Sequence, residues 1–214
     1  MSELAAAALS IAAAAFAAYG ACRDLRCALW PARFAAAAFG LSGAILAPGL
    51  LDSPLPRVAP SLLLPFALTG VFSRERRRWP ILALSVLCLA ARWRAPAAPA
   101  QTSTALLEAF ALAVLAGLGA QRLWDGEGGP AFTCGAAAAL ALALARAPRD
   151  AATLLVEALP AAAALALVLL TSREVRARAG VAALIALFGF QRAGEIRLGV
   201  AATPAVRVSA APRR

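Results

Sequence analysis

Long alanine-rich apolar runs, each broken by arginine or by a cluster of turn formers, constrain this chain more than any other feature. A helical bilayer crossing needs about 20 predominantly apolar residues, with roughly 17–25 as the working range. Eight runs approach or meet that length: 4–22, 34–51, 59–73, 79–93, 104–121, 130–146, 151–171 and 178–190. Runs 4–22, 34–51, 104–121 and 151–171 are long enough as they stand, and 130–146 is adequate. Runs 59–73, 79–93 and 178–190 are short, and suit tilted, re-entrant or interfacial segments. Composition agrees: 62% of the residues are hydrophobic and the mean hydropathy is +0.77, whereas a soluble domain is about 45–50% apolar. The expectation is an all-α, polytopic integral membrane bundle of about seven (six to eight) transmembrane helices. Residues 1–198 form its single domain, and 199–214 form a short basic tail expected to be disordered.

The connections carry charge and turn formers. Arg-Asp-Leu-Arg (23–26), Ser-Arg-Glu-Arg-Arg-Arg (73–78), Trp-Asp-Gly-Glu-Gly-Gly-Pro (124–130) and Ser-Arg-Glu-Val-Arg-Ala-Arg (172–178) are the polar breaks. Trp30, Trp79, Trp93 and Trp124 all lie at or just beyond run ends, as indole rings do at the headgroup level. Basic loops stay cytoplasmic. Counted over eight spans, odd-numbered loops hold eleven Arg and even-numbered loops five, which places the N-terminus outside. Five further Arg in the tail fit a cytoplasmic end if 178–190 enters only part-way. The Met-Ser-Glu-Leu start has no basic region, so run 4–22 reads as a retained first span. Together these predict a multi-pass protein of a bacterial inner membrane with a periplasmic N-terminus. The bacterial source is read from the absence of Lys and Asn beside so much Ala, the codon bias of a GC-rich genome.

Missing residue types exclude whole chemistries. The chain has no His, which removes His-ligated haem, His-bound zinc and a Ser-His-Asp triad. Without Lys there is no retinal Schiff base. The net charge of +10 belongs to run ends, where Arg anchors helices, and does not point to nucleic acid. No stand-alone catalytic site is visible, and a water-soluble enzyme is not a contender.

Ionisable groups inside spans are costly and are retained mostly for function. Glu108 lies one turn into run 104–121 and Glu157 about two turns into run 151–171. Both runs start from the outer face in the expected topology, so the two carboxylates share a depth at which they could bind a cation or relay a proton. The competing reading solvates each near the interface or pairs it with Arg94 or Arg149. Pro160, three residues after Glu157, would free a backbone carbonyl. Cys22 ends the first run and Cys134 begins the sixth, which places both thiols on the cytoplasmic side, with Cys27 in the adjoining loop on that face. Cys88 is mid-span and reads as an ordinary small core residue. Thiolates at a shared depth suit an iron–sulfur cluster or another soft metal; unligated cysteines in a helix are the commoner case. Gly40-Leu41-Ser42-Gly43 and Gly117-Leu118-Gly119-Ala120 are plausible points of close helix contact.

Two antiparallel helices with one Cys each, in a short multi-span chain, resemble the paired membrane subunits of the Rnf and sodium-pumping Nqr complexes. Tyr19-Gly20-Ala21-Cys22 stands where that family has Leu-Gly-Leu-Cys, and Phe132-Thr133-Cys134 where it has Thr-Thr-Asn-Cys. The stretch 151–178, ending Leu-Leu-Thr-Ser-Arg-Glu-Val-Arg before its last two residues, is similar to the fifth helix. Leu187-Phe188-Gly189-Phe190 is similar to the end of the last one. The resemblance implies inverted three-helix repeats, with Cys22 and Cys134 as ligands of a 2Fe–2S cluster shared with a partner subunit. The chain departs at Arg23, where the family has Pro, and at Thr133, where it has Asn; runs 59–73 and 79–93 have no counterpart in a six-helix subunit.

Three readings follow. One is a membrane subunit of an ion-translocating electron-transport complex using Cys22 and Cys134. The second is a small-solute or ion transporter or channel using Glu108 and Glu157. The third is a non-catalytic subunit that packs against larger membrane partners. Partners in every case are the lipid bilayer and, for the first and third, other membrane subunits.

Overall fold

The computed structural model describes residues 3–42, 45, 63–73, 78–94, 102–127, 132–138, 159, 162–163, 166 and 181–202. Among them all regular structure is helical: α1 (Glu3–Asp24), α2 (Leu29–Gly40), α3 (Leu63–Val71), α4 (Arg78–Arg94), α5 (Thr102–Trp124), α6 (132–138) and α7 (Val181–Ala202). The run expected at 151–171 and the tail beyond 202 lie outside the described residues, apart from the four isolated positions named above.

α5 is the axis of the bundle. It packs against α1, α2, α3 and α4, while α1 and α2 form an antiparallel pair and α7 touches α2. Every residue from Ala113 to Ala120 is buried, so this helix has no outward face over two turns. Among the described residues one helical segment, Leu106–Trp124 within α5, combines the length and hydropathy of a membrane crossing, and 61% of it is buried inside the protein.

Small residues set the helix spacing. A Cβ on Gly40 would stand 3.2 Å from both the Ala15 Cβ and the Ile11 carbonyl oxygen, so α2 leans on α1 through its glycine. A Cβ on Gly117 would stand 2.7 Å from the Cys22 Sγ and 2.9 Å from the Ala35 Cβ, at the junction of α1, α2 and α5. Gly70 and Gly119 face each other across α3 and α5. A Cβ on Gly119 would strike the Phe66 carbonyl, and one on Gly70 the Leu115 carbonyl. Two of the sequence's candidate contact clusters, those of Gly40 and of Gly117-Gly119, are therefore real crossings. Where no water is displaced between helices, such backbone-to-backbone contact is what holds them together.

The pairings give each helix a direction. Phe66 meets Gly119 and Gly70 meets Leu115, so α3 runs against α5. α4 does the same, since Ile81 and Leu82 pack into the cluster of Val114, Leu115 and Leu118 while Cys88 lies near Glu108, farther back along α5. α3 and α4 thus share a direction, and the strict up-and-down alternation expected for eight runs is broken at run 59–73. The nine described residues of α3 rise about 14 Å.

The other run boundaries shift for local reasons. α2 begins at Leu29 rather than at 34, because Pro31 falls in the first turn, where its missing N–H needs no partner. α7 continues through Gln191, Arg192, Glu195 and Arg197 to Ala202. These residues end the apolar run but are sound helix formers, so the helix enters the stretch expected to be tail. Buried or half-buried hydroxyls close on their own helix: the Thr69 hydroxyl donates to the Pro65 carbonyl at 2.7 Å and the Ser85 hydroxyl to the Ile81 carbonyl at 2.9 Å. That satisfies a polar group without a partner from another element. Phe34, Phe66 and Phe132 form a chain of ring contacts, each pair 4.9 Å between centroids, that ties α2, α3 and α6 together.

Candidate functional site

α1 ends in a turn that brings two cysteines together. The Cys27 N–H donates to the Cys22 carbonyl at 2.9 Å and the Arg26 N–H to the Arg23 carbonyl at 2.9 Å. Arg26 between them has φ 60°. This paired bonding around a left-handed residue is the Schellman cap, and it places the side chains of its first and sixth residues in contact. Those residues are Cys22 and Cys27. The two side chains lie in one buried apolar cluster, they are 0% and 1% exposed, and neither is in a disulfide.

The cap is held from outside. The Arg23 guanidinium donates to the Cys27 carbonyl at 2.7 Å. The Ala28 N–H, at the start of α2, donates to the Gln121 Oε1 at 2.6 Å, and the Gln121 amide in turn donates to Asp125 at 2.9 and 3.0 Å. Ala28 is the N-cap of α2 and has no side-chain cap of its own; Gln121 supplies to its N–H from α5 what the third-position Glu or Gln of a capping box would supply locally. Gly117 closes the site from above, and Ala32, Ala35, Val114, Leu115 and Leu118 share its apolar cluster.

Charge and indole gather at this end. Arg23 and Asp24 end α1 and Arg26 follows it, while Arg122, Asp125 and Glu127 surround the last turn of α5. Trp30 stands in the first turn of α2 with the Arg33 guanidinium 4.9 Å from its ring centre, Trp79 in the first turn of α4 with Arg78 at 5.4 Å, and Trp124 ends α5. Trp93 lies in the last turn of α4. All four Trp positions therefore fall in the first or last turn of a helix, as the sequence predicts.

Cys22 and Cys134 were expected to share a face. Cys22 faces Gly117, and Cys134 lies two residues after Phe132, which meets Phe66 edge-on opposite Gly119. Both thiols thus sit at the level of the last two turns of α5. Their surroundings differ: Cys22 is enclosed against Cys27, whereas Cys134 is exposed on α6. Among the described residues no three His, Cys, Asp or Glu side chains form a metal-binding group. A cluster shared across a subunit interface needs thiolates that reach the partner. The enclosed Cys22 does not fit that demand.

Glu108 is half-buried on α5, close enough to Cys88 of α4 for its charge to act on that thiol. Glu157, Pro160 and Arg149 lie outside the described residues, so no pairing of the two carboxylates is described. Sequence reasoning missed the Cys22–Cys27 contact and the capping role of Gln121. A Cys-x4-Cys spacing across a helix end was the available signal for the first. It was masked because the left-handed position holds Arg26 where Gly or Asn is usual. No family model, characterised protein or solved structure matches this chain.

Proposed function

We propose that the chain is a multi-pass membrane protein that serves as a subunit of a larger assembly in a bacterial inner membrane, packing by its small-residue faces. The outward side of α1 carries this reading. Over a helix of 22 residues, about 33 Å long, its exposed positions include Ala5, Ala8, Leu9, Ala12, Ala13, Phe16 and Ala17, with Leu9 64% and Phe16 77% exposed. In water that strip is an unprotected apolar patch; against lipid or a partner helix it is an ordinary surface. Val86 and Leu87 on α4, Phe190 on α7 and Phe72 just after α3 extend the same character beyond α1. The gathering of Arg and Trp at the α5 terminus supports a cytoplasmic interface there.

An electron-transport role of the Rnf or Nqr kind is the chemically more specific form of this proposal. The shared level of Cys22 and Cys134 speaks for it, and the commitment of Cys22 to Cys27 speaks for the packing form. Purification of the full chain in mild detergent tests both. Resistance to alkaline extraction and co-purification with other membrane proteins support the proposal; release into the soluble fraction overturns it. Bound iron with an electron paramagnetic resonance signal lost in Cys134→Ser would establish the electron-transport form instead.

A further inference from the structure

The contact between Cys22 and Cys27 meets the needs of a particular class of metal ion. A Schellman cap asks only for apolar contact between its first and sixth side chains, which Ala or Leu would give. Here the two positions carry thiols, brought together by the backbone bond from the Cys27 N–H to the Cys22 carbonyl and buried in one apolar cluster. Thiolates are soft ligands that suit cuprous copper, zinc and iron–sulfur clusters, and the clusters take four cysteines. Structural zinc takes four ligands, and the described residues bring together no group of even three. We propose that Cys22 and Cys27 form a two-coordinate site for cuprous ion, with Gly117 as its roof.

Charge and shape agree with this assignment. Binding replaces two S–H bonds by two S–Cu bonds: two thiols and Cu⁺ give a bis-thiolate complex of charge −1 and two protons released to solvent. The complex gains a compensating cation from Arg23, whose guanidinium is already fixed on the Cys27 carbonyl at 2.7 Å. Any side chain at position 117 would occupy the space of the Cys22 sulfur, since even a Cβ there lies 2.7 Å from it. The surrounding side chains of Ala32, Ala35, Val114 and Leu118 are apolar and offer no oxygen ligand of their own, which favours a soft ion over a hard one. This inference is independent of the proposed assembly role and draws Cys22 away from Cys134.

The test uses the full chain in detergent under anaerobic, reducing conditions, with cuprous ion supplied as its complex with a chromophoric chelator. Wild-type protein is expected to withdraw one equivalent per chain, and X-ray absorption to show two sulfur neighbours. Cys22→Ser and Cys27→Ser each lower the affinity at least tenfold, whereas Cys88→Ser and Cys134→Ser leave it unchanged. Thermal unfolding by circular dichroism verifies that each variant is folded, and Cys22→Ala with Cys27→Ala keeps the apolar cap contact as a second control. No withdrawal by wild type overturns the proposal, as does retained binding in the folded double variant or its loss in Cys134→Ser. Membrane extraction and co-purification are read separately, so failure here leaves the assembly proposal standing.

Discussion

Replacing Gly119 with Ala places a methyl group against the Phe66 carbonyl, at the point where α3 and α5 touch backbone to backbone. The obstacle is main chain, so no side-chain rotation relieves it and the helices must separate. Overpacking of this kind costs about 1–3 kcal/mol, and a rigid backbone obstacle belongs at the upper end. Against that, Ala in a helix interior is favoured over Gly by about 1 kcal/mol. The net expectation is a loss of about 2 kcal/mol, roughly a thirtyfold shift in the unfolding constant. Gly70→Ala, facing the Leu115 carbonyl, should behave alike. Gly20 and Gly189 supply the contrast, since a Cβ at either meets nothing within 4 Å. There only the propensity remains, and Gly20→Ala and Gly189→Ala should stabilise by about 0.5–1 kcal/mol. Unfolding in mixed micelles of a mild detergent with increasing dodecyl sulfate, followed by far-ultraviolet circular dichroism, reads all four. If Gly119→Ala is as stable as Gly20→Ala, the close α3–α5 crossing is wrong.

Phe66→Ala removes the middle ring of the Phe34–Phe66–Phe132 chain from a site only 1% exposed, and should cost about 3–5 kcal/mol in the same unfolding series. Gln121→Leu leaves the Ala28 N–H without its acceptor; a loss of about 1–2 kcal/mol is expected, and none would mean that the N–H finds another acceptor. Arg26→Gly relieves the left-handed residue of the α1 cap and should raise stability by about 1 kcal/mol, visible as a higher melting temperature. A single cysteine placed at Phe16, on the outward face of α1, should resist a membrane-impermeant thiol reagent in intact vesicles of either orientation, in a background with the native cysteines changed to Ser. Rapid labelling would place that face in water.

The helices themselves were legible because an uninterrupted Ala, Leu, Ile and Phe run permits little else. α1 and α4 begin and end within two residues of their apolar runs, and α5 within three. The glycine crossings at Gly40 and Gly117-Gly119 were legible as well, since in apolar helices a glycine is where another backbone can approach. Direction was not. Nothing in run 59–73 says that α3 runs with α4 against α5, because that is settled by which residue Phe66 and Gly70 meet, and the hydropathy of the run is the same either way. The candidate site was half legible: Cys22 and Cys27 were placed on one face, but their contact depends on a left-handed Arg26 that residue preferences argue against. Gln121 was overlooked because its partner, Ala28, offers only a backbone N–H.

That bond also imposes an order of events. Ala28 and Gln121 are 93 residues apart, which at about 5–20 residues per second is a delay of roughly 5–20 s in synthesis. Throughout that interval the turn between α1 and α2 has no Gln121 to accept from it and its two thiols lack the roof that Gly117 provides. The turn between the first two helices is therefore among the earliest parts of the chain to be made and among the later ones to be completed, and its final form records the arrival of α5.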